Sequence, residues 1–346
     1  MKRDARLDLI RALAAFMVVS VHFFLNSGFF ETPMTGNRML VMAMVRMAFM
    51  TCVPLFILLT GYLCRHKALT LRYYLGLARV LLTYVLCAIV CLGVRGARGE
   101  VLDLGRRVRA LLDFSAAPYA WYVEMYIGLF LLIPFLNILW AALETKTKRC
   151  ALVATLLALT TLPALANFRW NLLPDWWINV YPLTYYFLGA YFAEYRPRLS
   201  WTWGVPTLVI LAAAGGGLMY ILSAGAPALW NPALDWYGPT VVLSSCLLFL
   251  LLLRVPADRA PGWVKWLLAK LSQLSLAIYL LSWCFDTAFY PILAQKAPAV
   301  TDRLPWYFVI VPAVYLSSAI VAQLVEWLRR GMTWCINKVC PKADLR

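Results

Sequence analysis

Charge is scarce in this sequence, and negative charge is scarcer than positive. Charged residues make up 14% of the chain, where a soluble domain carries about 25%. Only 16 of the 346 residues are acidic, against 32 basic, for a formal net charge of +16. No polar stretch is long enough to be a separate soluble domain, although the length would allow two. CxxC pairs are absent, and the nine cysteines, an odd number, lie mostly inside apolar runs. That argues against a disulfide framework and against a zinc site; buried free thiols are the ordinary use of such residues. Histidine occurs twice, as His22 and His66, so no metal site is expected and a haem would lack a second intramembrane ligand. No A-x-A-like cleavage site follows the first apolar run, which itself carries Asp8, Arg11 and His22, so it reads as a retained helix and not as a signal peptide. No internal repeat is evident, which counts mildly against common transporter designs.

Apolar residues are plentiful. They make up 63% of the chain, and the mean hydropathy is +0.73. A soluble fold cannot hide that much apolar surface, so most of it must face lipid or other helices. Runs long enough to span a bilayer recur at 7–27, 39–63, 73–94, 118–140, 150–166, 178–194, 203–223, 237–253, 271–292 and 305–328. The expectation is an all-α polytopic membrane protein of about ten transmembrane helices. It would form one domain over 1–346, ending in a short cytoplasmic tail at about 329–346.

Basic residues set the orientation. With the N-terminus in the cytoplasm, inner segments carry Lys2, Arg3, Arg6, Arg65, Lys67, Arg72 and further clusters around 146–149, 196–198, 254–270 and the tail. Outer loops carry about half as many, so both termini are expected inside. Because the positive charge sits in short loops between apolar runs, it is a topology signal and not a nucleic-acid surface. One loop breaks the rule: 95–113 holds five arginines yet should lie outside. Val101, Leu104, Val108, Leu111 and Leu112 recur there at helical spacing, which predicts a short amphipathic helix on the membrane surface.

Ionisable groups inside the bilayer cost about 2.5–3.5 kcal/mol each on insertion scales and usually mark function. Here they fall into two layers. The inner layer holds Asp8 and Arg11 on the first helix, three apart and able to pair, with Arg72 and Arg79 on the third. Three arginines against one carboxylate leave a positive mouth suited to phosphate, which the planar guanidinium grips with two parallel bonds. Snorkelling to headgroups is the plainer account, strongest for Arg72. The outer layer holds His22, Arg46, Glu124 and Asp286 at one depth on four helices; a structural ion-pair network is the plainer account there. His22 follows Arg11 by eleven residues, so both face nearly the same side, about 16 Å apart along the axis. An imidazole there can take a proton from a hydroxyl near neutral pH. Glu124 or Asp286 would orient it, and Arg46 would stabilise an oxyanion.

At these residues the sequence resembles the acyltransferase-3 family of integral membrane acyltransferases, which includes bacterial polysaccharide O-acetyltransferases. Arg11 and His22, with ten residues between them and Asp8 ahead, are similar to the family's first-helix motif. Val53–Leu63 (VPLFILLTGYL) resembles its F-F-x-x-S-G-[FY] segment, with Thr60 for serine. Arg72 and Arg79 resemble its arginine-rich stretch, Ala120-Trp121-Tyr122 its [HN]-x-W-[FY] segment, and 274–283 (LSLAIYLLSW) its late helix, with Ser282 for histidine.

The resemblance implies binding of acyl-CoA, usually acetyl-CoA, from the cytoplasm. It implies transfer of the acyl group to a hydroxyl, usually on an envelope sugar or lipid-linked glycan, at the outer face of a bacterial inner membrane. His22 would be the base, Arg11, Arg72 and Arg79 would engage the carrier, and Trp121 and Tyr122 would meet the substrate. The competing readings of the same charges are a transporter of a small polar solute and a structural subunit.

Overall fold

The fold follows from having to satisfy every backbone polar group inside lipid, which a helix does within itself. The computed structural model describes residues 3–339 and contains no β-strand among them. The helices are α1 Ala5–Asn26, α2 Gly36–Phe49, α3 Cys52–Cys64, α4 Leu71–Ala97, α5 Leu104–Leu112, α6 Trp121–Ala142, α7 Lys146–Ala166, α8 Tyr181–Tyr195, α9 Trp201–Ser223, α10 Pro239–Leu252, α11 Gly262–Lys296 and α12 Tyr307–Val339. Nine segments of the described residues are long and apolar enough to cross a membrane, with α2 and α3 counted as one. The tenth expected crossing is α8. At 15 residues it is short, but a 3-10 helix at Asp175–Val180 leads straight into it. The chain is therefore an all-α polytopic membrane protein. Helix α12 stays helical to Val339, so the first part of the segment read as a tail continues the last helix, and 340–346 lie outside the described residues.

Helix α1 is the hub, packed against α2, α3, α10, α11 and α12. Its sequence permits this: Ile10, Ala14, Ala15, Val19, Phe23 and Phe24 are all fully buried, and a helix apolar on every side belongs in an interior. Helices α1 and α11 run parallel, since Arg11 meets Ser272 near one end and Asn26 meets Asp286 near the other. Helix α12 runs back against α1, with Tyr307 at Ser20 and Tyr315 at Ala12. The end where α1 begins is called proximal below and the opposite end distal. Helices α4 and α9 sit outermost and expose Leu75, Ile89, Val209 and Ile210, as lipid-facing surfaces do.

Two local features shape the interior. Pro54 lacks an N–H for the Met50 carbonyl and its ring crowds that carbonyl; the helix breaks there, between α2 and α3, with Met50 and Thr51 as the joint. Helices α3 and α8 then approach closely through Gly61 and Gly189, where any Cβ would run into the backbone of Tyr186 or Leu58.

The arginine-rich loop forms the short amphipathic helix expected of it. Asp103 caps α5 by accepting from Arg106 N at 2.9 Å. Arg106, Arg107 and Arg109 are exposed, as are Val101, Leu104, Val108 and Leu112, so an apolar and a basic face are both available to a membrane surface. At either end of this loop Arg95 and Ser115 hold the carboxyls of Glu100 and Asp113 below their ordinary range, each mainly through a side-chain hydrogen bond.

Candidate active site

One cavity of about 600 Å³ runs through the helix bundle beside α1. From that helix Arg11, Val18, Val21, His22 and Leu25 reach it. Their spacings of seven, three, one and three residues keep them on one side of the helix, with Arg11, Val18, His22 and Leu25 along its stripe. Arg11 and Arg79 therefore share a single cavity with His22 and Arg46. The remaining wall comes from α3, α4, α6, α11 and α12, including Thr60, Thr83, Trp121, Tyr122, Ser272 and Glu326.

The proximal end is cationic. Arg11 donates from Nη1 to Ser272 Oγ at 3.1 Å, and neither Arg11 nor Arg79 has an ion-pair partner among the described residues. The nearby carboxylates are engaged elsewhere. Asp8 does not pair with Arg11: Arg3 takes both its oxygens, at 2.5 and 2.8 Å, and also donates to Ala269 O at 2.8 Å. That clasp ties the start of α1 to α11, and Asp8 does not line the cavity. Glu326 accepts from Arg329 at 2.7 and 2.8 Å, from Arg330 at 2.8 Å and from Gln273 at 2.5 Å. Arg72 is exposed at the start of α4 and outside the cavity, where snorkelling accounts for it.

The distal end is built around His22, which is 8% exposed. Its Nδ1 lies 4.0 Å from Asp286 Oδ2. Tyr119 donates its hydroxyl to that oxygen at 2.9 Å, and its ring centroid sits 3.9 Å from the imidazole. Asn26, one turn past His22, donates from Nδ2 to His22 O at 2.8 Å and to Tyr119 Oη at 3.0 Å, with Asp286 Oδ2 at 3.4 Å. The Tyr279 hydroxyl donates to the Tyr119 carbonyl, fastening the turn before α6 onto α11. Asp286 Oδ1 and His22 Nδ1 are both enclosed and without a hydrogen-bond partner. Packing on the Tyr119 ring holds the imidazole with Nδ1 toward the Asp286 carboxylate.

Glu124 does not join this group. It is exposed and does not line the cavity. Tyr122 and Tyr126 face inward from α6, and Glu124 stands two residues from each, about 200° around the helix. Depth alone put it with His22; azimuth takes it away. Trp121 and Tyr122 do line the cavity, and Trp121 stacks on Trp236 with centroids 4.6 Å apart and planes at 18°. Arg46 reaches the cavity from the last turn of α2, with its guanidinium carbon 5.0 Å from the centre of the Phe30 ring. Ser282 is buried away from the cavity and donates to its own helix at Tyr279 O, 2.8 Å away.

Tyr119, Asn26 and Glu326 were not foreseen. A signal existed for Asn26, which lies four residues beyond His22 on the same face. Tyr119 stands in a connector, where spacing carries no directional information. Among the described residues no group of three His, Cys, Asp or Glu side chains could hold a metal ion.

Fold and site together define a multi-pass membrane protein with a largely apolar, aromatic-lined cavity that holds Arg11 and Arg79 at one end and a buried imidazole at the other. The family model for the acyltransferase domain matches residues 4–323, nearly the whole chain. The chain belongs to the acyltransferase-3 family and is a membrane acyltransferase in general kind. No curated protein and no solved structure matched it.

Proposed function

We propose that the protein moves an acyl group, of which acetyl is the simplest case, from a cytoplasmic acyl-CoA to a hydroxyl of an envelope glycan at the outer side of a bacterial inner membrane. The observation that carries this reading is the shared cavity: Arg11 and Arg79, without ion-pair partners among the described residues, at one end and His22 at the other, with Arg11 and His22 on one stripe of α1. The bias of basic residues assigns the proximal end to the cytoplasm. Phosphates of the carrier bind Arg11 and Arg79 there. Its flexible arm then extends up the cavity, about 16 Å along the helix axis, to bring the thioester to His22.

At the distal end His22 Nε2 takes the proton from the acceptor hydroxyl as that oxygen attacks the thioester carbonyl. The new C–O bond forms, the C–S bond breaks, and the departing thiolate recovers the proton from the imidazolium. Asp286 is a positioning residue: it faces Nδ1 and offsets the charge that develops on the ring, as a triad carboxylate does. The family assignment is what favours acyl transfer over passage of a small solute past the same charges.

The test is incubation of the purified, membrane-reconstituted protein with labelled acetyl-CoA and envelope glycans, followed by mass spectrometry of the products. Acylated glycan is expected from the wild type. His22→Ala, shown to be correctly inserted, should lose at least about a hundredfold in turnover. Full activity in that variant would reject the assignment. Direct transfer predicts ternary-complex kinetics, whereas a ping-pong pattern would put the acyl group on His22 itself.

A further inference from the structure

Arg46 is a guanidinium in the membrane with no ion-pair partner among the described residues. Its Nε is enclosed and unbonded, and its one hydrogen-bond contact is a weak one from Nη1 to Met47 Sδ at 3.7 Å. The carboxylate within electrostatic reach is Asp235, and that group is already engaged. It accepts from Trp230 Nε1 at 2.6 Å and from Trp236 N at 2.7 Å. A half-buried guanidinium left this way within a membrane is costly unless a ligand completes it.

The surroundings give the ligand its shape. Phe30 lies against the guanidinium, fixing its plane. The stacked Trp121 and Trp236 also line the cavity, and they offer an aromatic face of the kind on which sugar rings stack. Phe30 and Asp235 belong to connectors at the distal end, before α2 and before α10, whereas His22 is held by the turn before α6 and by α11. Arg46 and the imidazole therefore enter the cavity from different walls, as needed to grip one part of an acceptor while reacting at another.

We propose that Arg46 selects an anionic acceptor. A sugar unit packs on the Trp121–Trp236 stack, its carboxylate or phosphate is bound by Arg46, and a hydroxyl of the same unit reaches His22. This rests on the acyl-transfer reading for its reaction but not for its binding site. The competing role for Arg46, stabilising the thioester oxyanion, predicts a different kinetic signature.

The experiment compares three acceptors with matched backbones: an oligosaccharide containing a uronic acid, its neutral counterpart, and a sugar phosphate. Each is tested with the wild type, Arg46→Gln and Arg46→Lys in nanodiscs, by initial rates with labelled acetyl-CoA and by equilibrium binding without it. The wild type should favour one or both anionic acceptors by about tenfold or more in kcat/KM, the worth of a charge-assisted bond pair. Arg46→Gln should remove that preference through a raised KM for the anionic acceptors and weaken anion binding in parallel. Arg46→Lys should recover part of it. A preference for the uronic acid alone identifies a carboxylate site, and for the sugar phosphate alone a phosphate site. An equal fall in kcat for all acceptors and for hydrolysis would overturn the proposal in favour of the oxyanion role. Anion binding unaffected by Arg46→Gln would overturn it outright. Absence of all turnover with Arg46-dependent anion binding intact would sink the acyl-transfer reading and uphold the anion site.

Discussion

Asp286→Asn isolates the charge of the positioning carboxylate with almost no change in volume. In the proposed reaction a positive charge develops on His22 while the carboxylate faces it at 4.0 Å. Two unit charges at that distance attract by about 4 kcal/mol at an effective dielectric of about 20. Tyr119 and Asn26 already bond to the same oxygen and spread its charge, so about 2–4 kcal/mol is the expected loss, or about 30- to 1000-fold in kcat. The KM for acyl-CoA should not move, because in the proposed reaction the carrier's phosphates bind about three turns away at Arg11. Tyr119→Phe keeps the carboxylate charge and removes one hydrogen bond of 2.9 Å, so it should cost only about five- to tenfold. Stopped assays on purified protein, normalised to the folded fraction by size-exclusion chromatography, give both numbers. Asp286→Asn within about threefold of wild type in kcat would refute the positioning argument, since no reasonable dielectric makes a facing charge that cheap. So would a loss wholly accounted for by a smaller folded fraction.

The cationic mouth gives a second prediction. Arg11→Ala and Arg79→Ala should each raise the KM for acyl-CoA about tenfold or more with little change in kcat, whereas Arg72→Ala should stay within about twofold; initial rates over a range of acyl-CoA concentrations separate them. Glu124→Gln should leave turnover within about twofold of wild type, because an exposed carboxylate on the far face of α6 cannot reach His22; a loss comparable to that of Asp286→Asn would mean α6 is rotated from its place here. Gly61→Leu should destabilise the fold by at least about 1–3 kcal/mol, as overpacking does, and lower the melting temperature seen by fluorescence-detected chromatography, because the backbone of α8 occupies the space a side chain would need.

Much of the site was legible because helical periodicity is a direction as well as a spacing. Arg11 and His22 lie eleven residues apart, and that alone placed both on the stripe that the cavity follows. Depth placed Asp286 near His22 correctly. The same argument failed for Glu124, because depth fixes height along a helix and says nothing of which way the helix faces. Asp8 was matched to Arg11 as the nearest cation on its own helix, yet Arg3 reaches back from the chain end and takes it with two bonds. Residues ahead of the first helix have no periodicity from which to read that contact. Tyr119 escaped for a similar reason: turns and connectors obey no repeat, so a side chain there becomes meaningful only once the helices around it are packed.

The break between α2 and α3 ties these observations together. Pro54 deprives the Met50 carbonyl of its helical partner, and a freed backbone group within a membrane is tolerated only where protein or a water-lined cavity meets it. Cys52 and Val53, just past the joint, line the cavity, and Arg46 enters it one turn before. An unbroken helix would carry its axis straight past this point and turn the two halves into one face. The break lets α2 present Arg46 from the distal side while α3 turns Phe56, Leu59 and Thr60 toward the space between Arg11 and His22. The same α3 packs closely on α8 through Gly61 and Gly189. A proline thus opens the helix where polar chemistry can use the gap, and a glycine about two turns later lets the following half pack tightly on its neighbour.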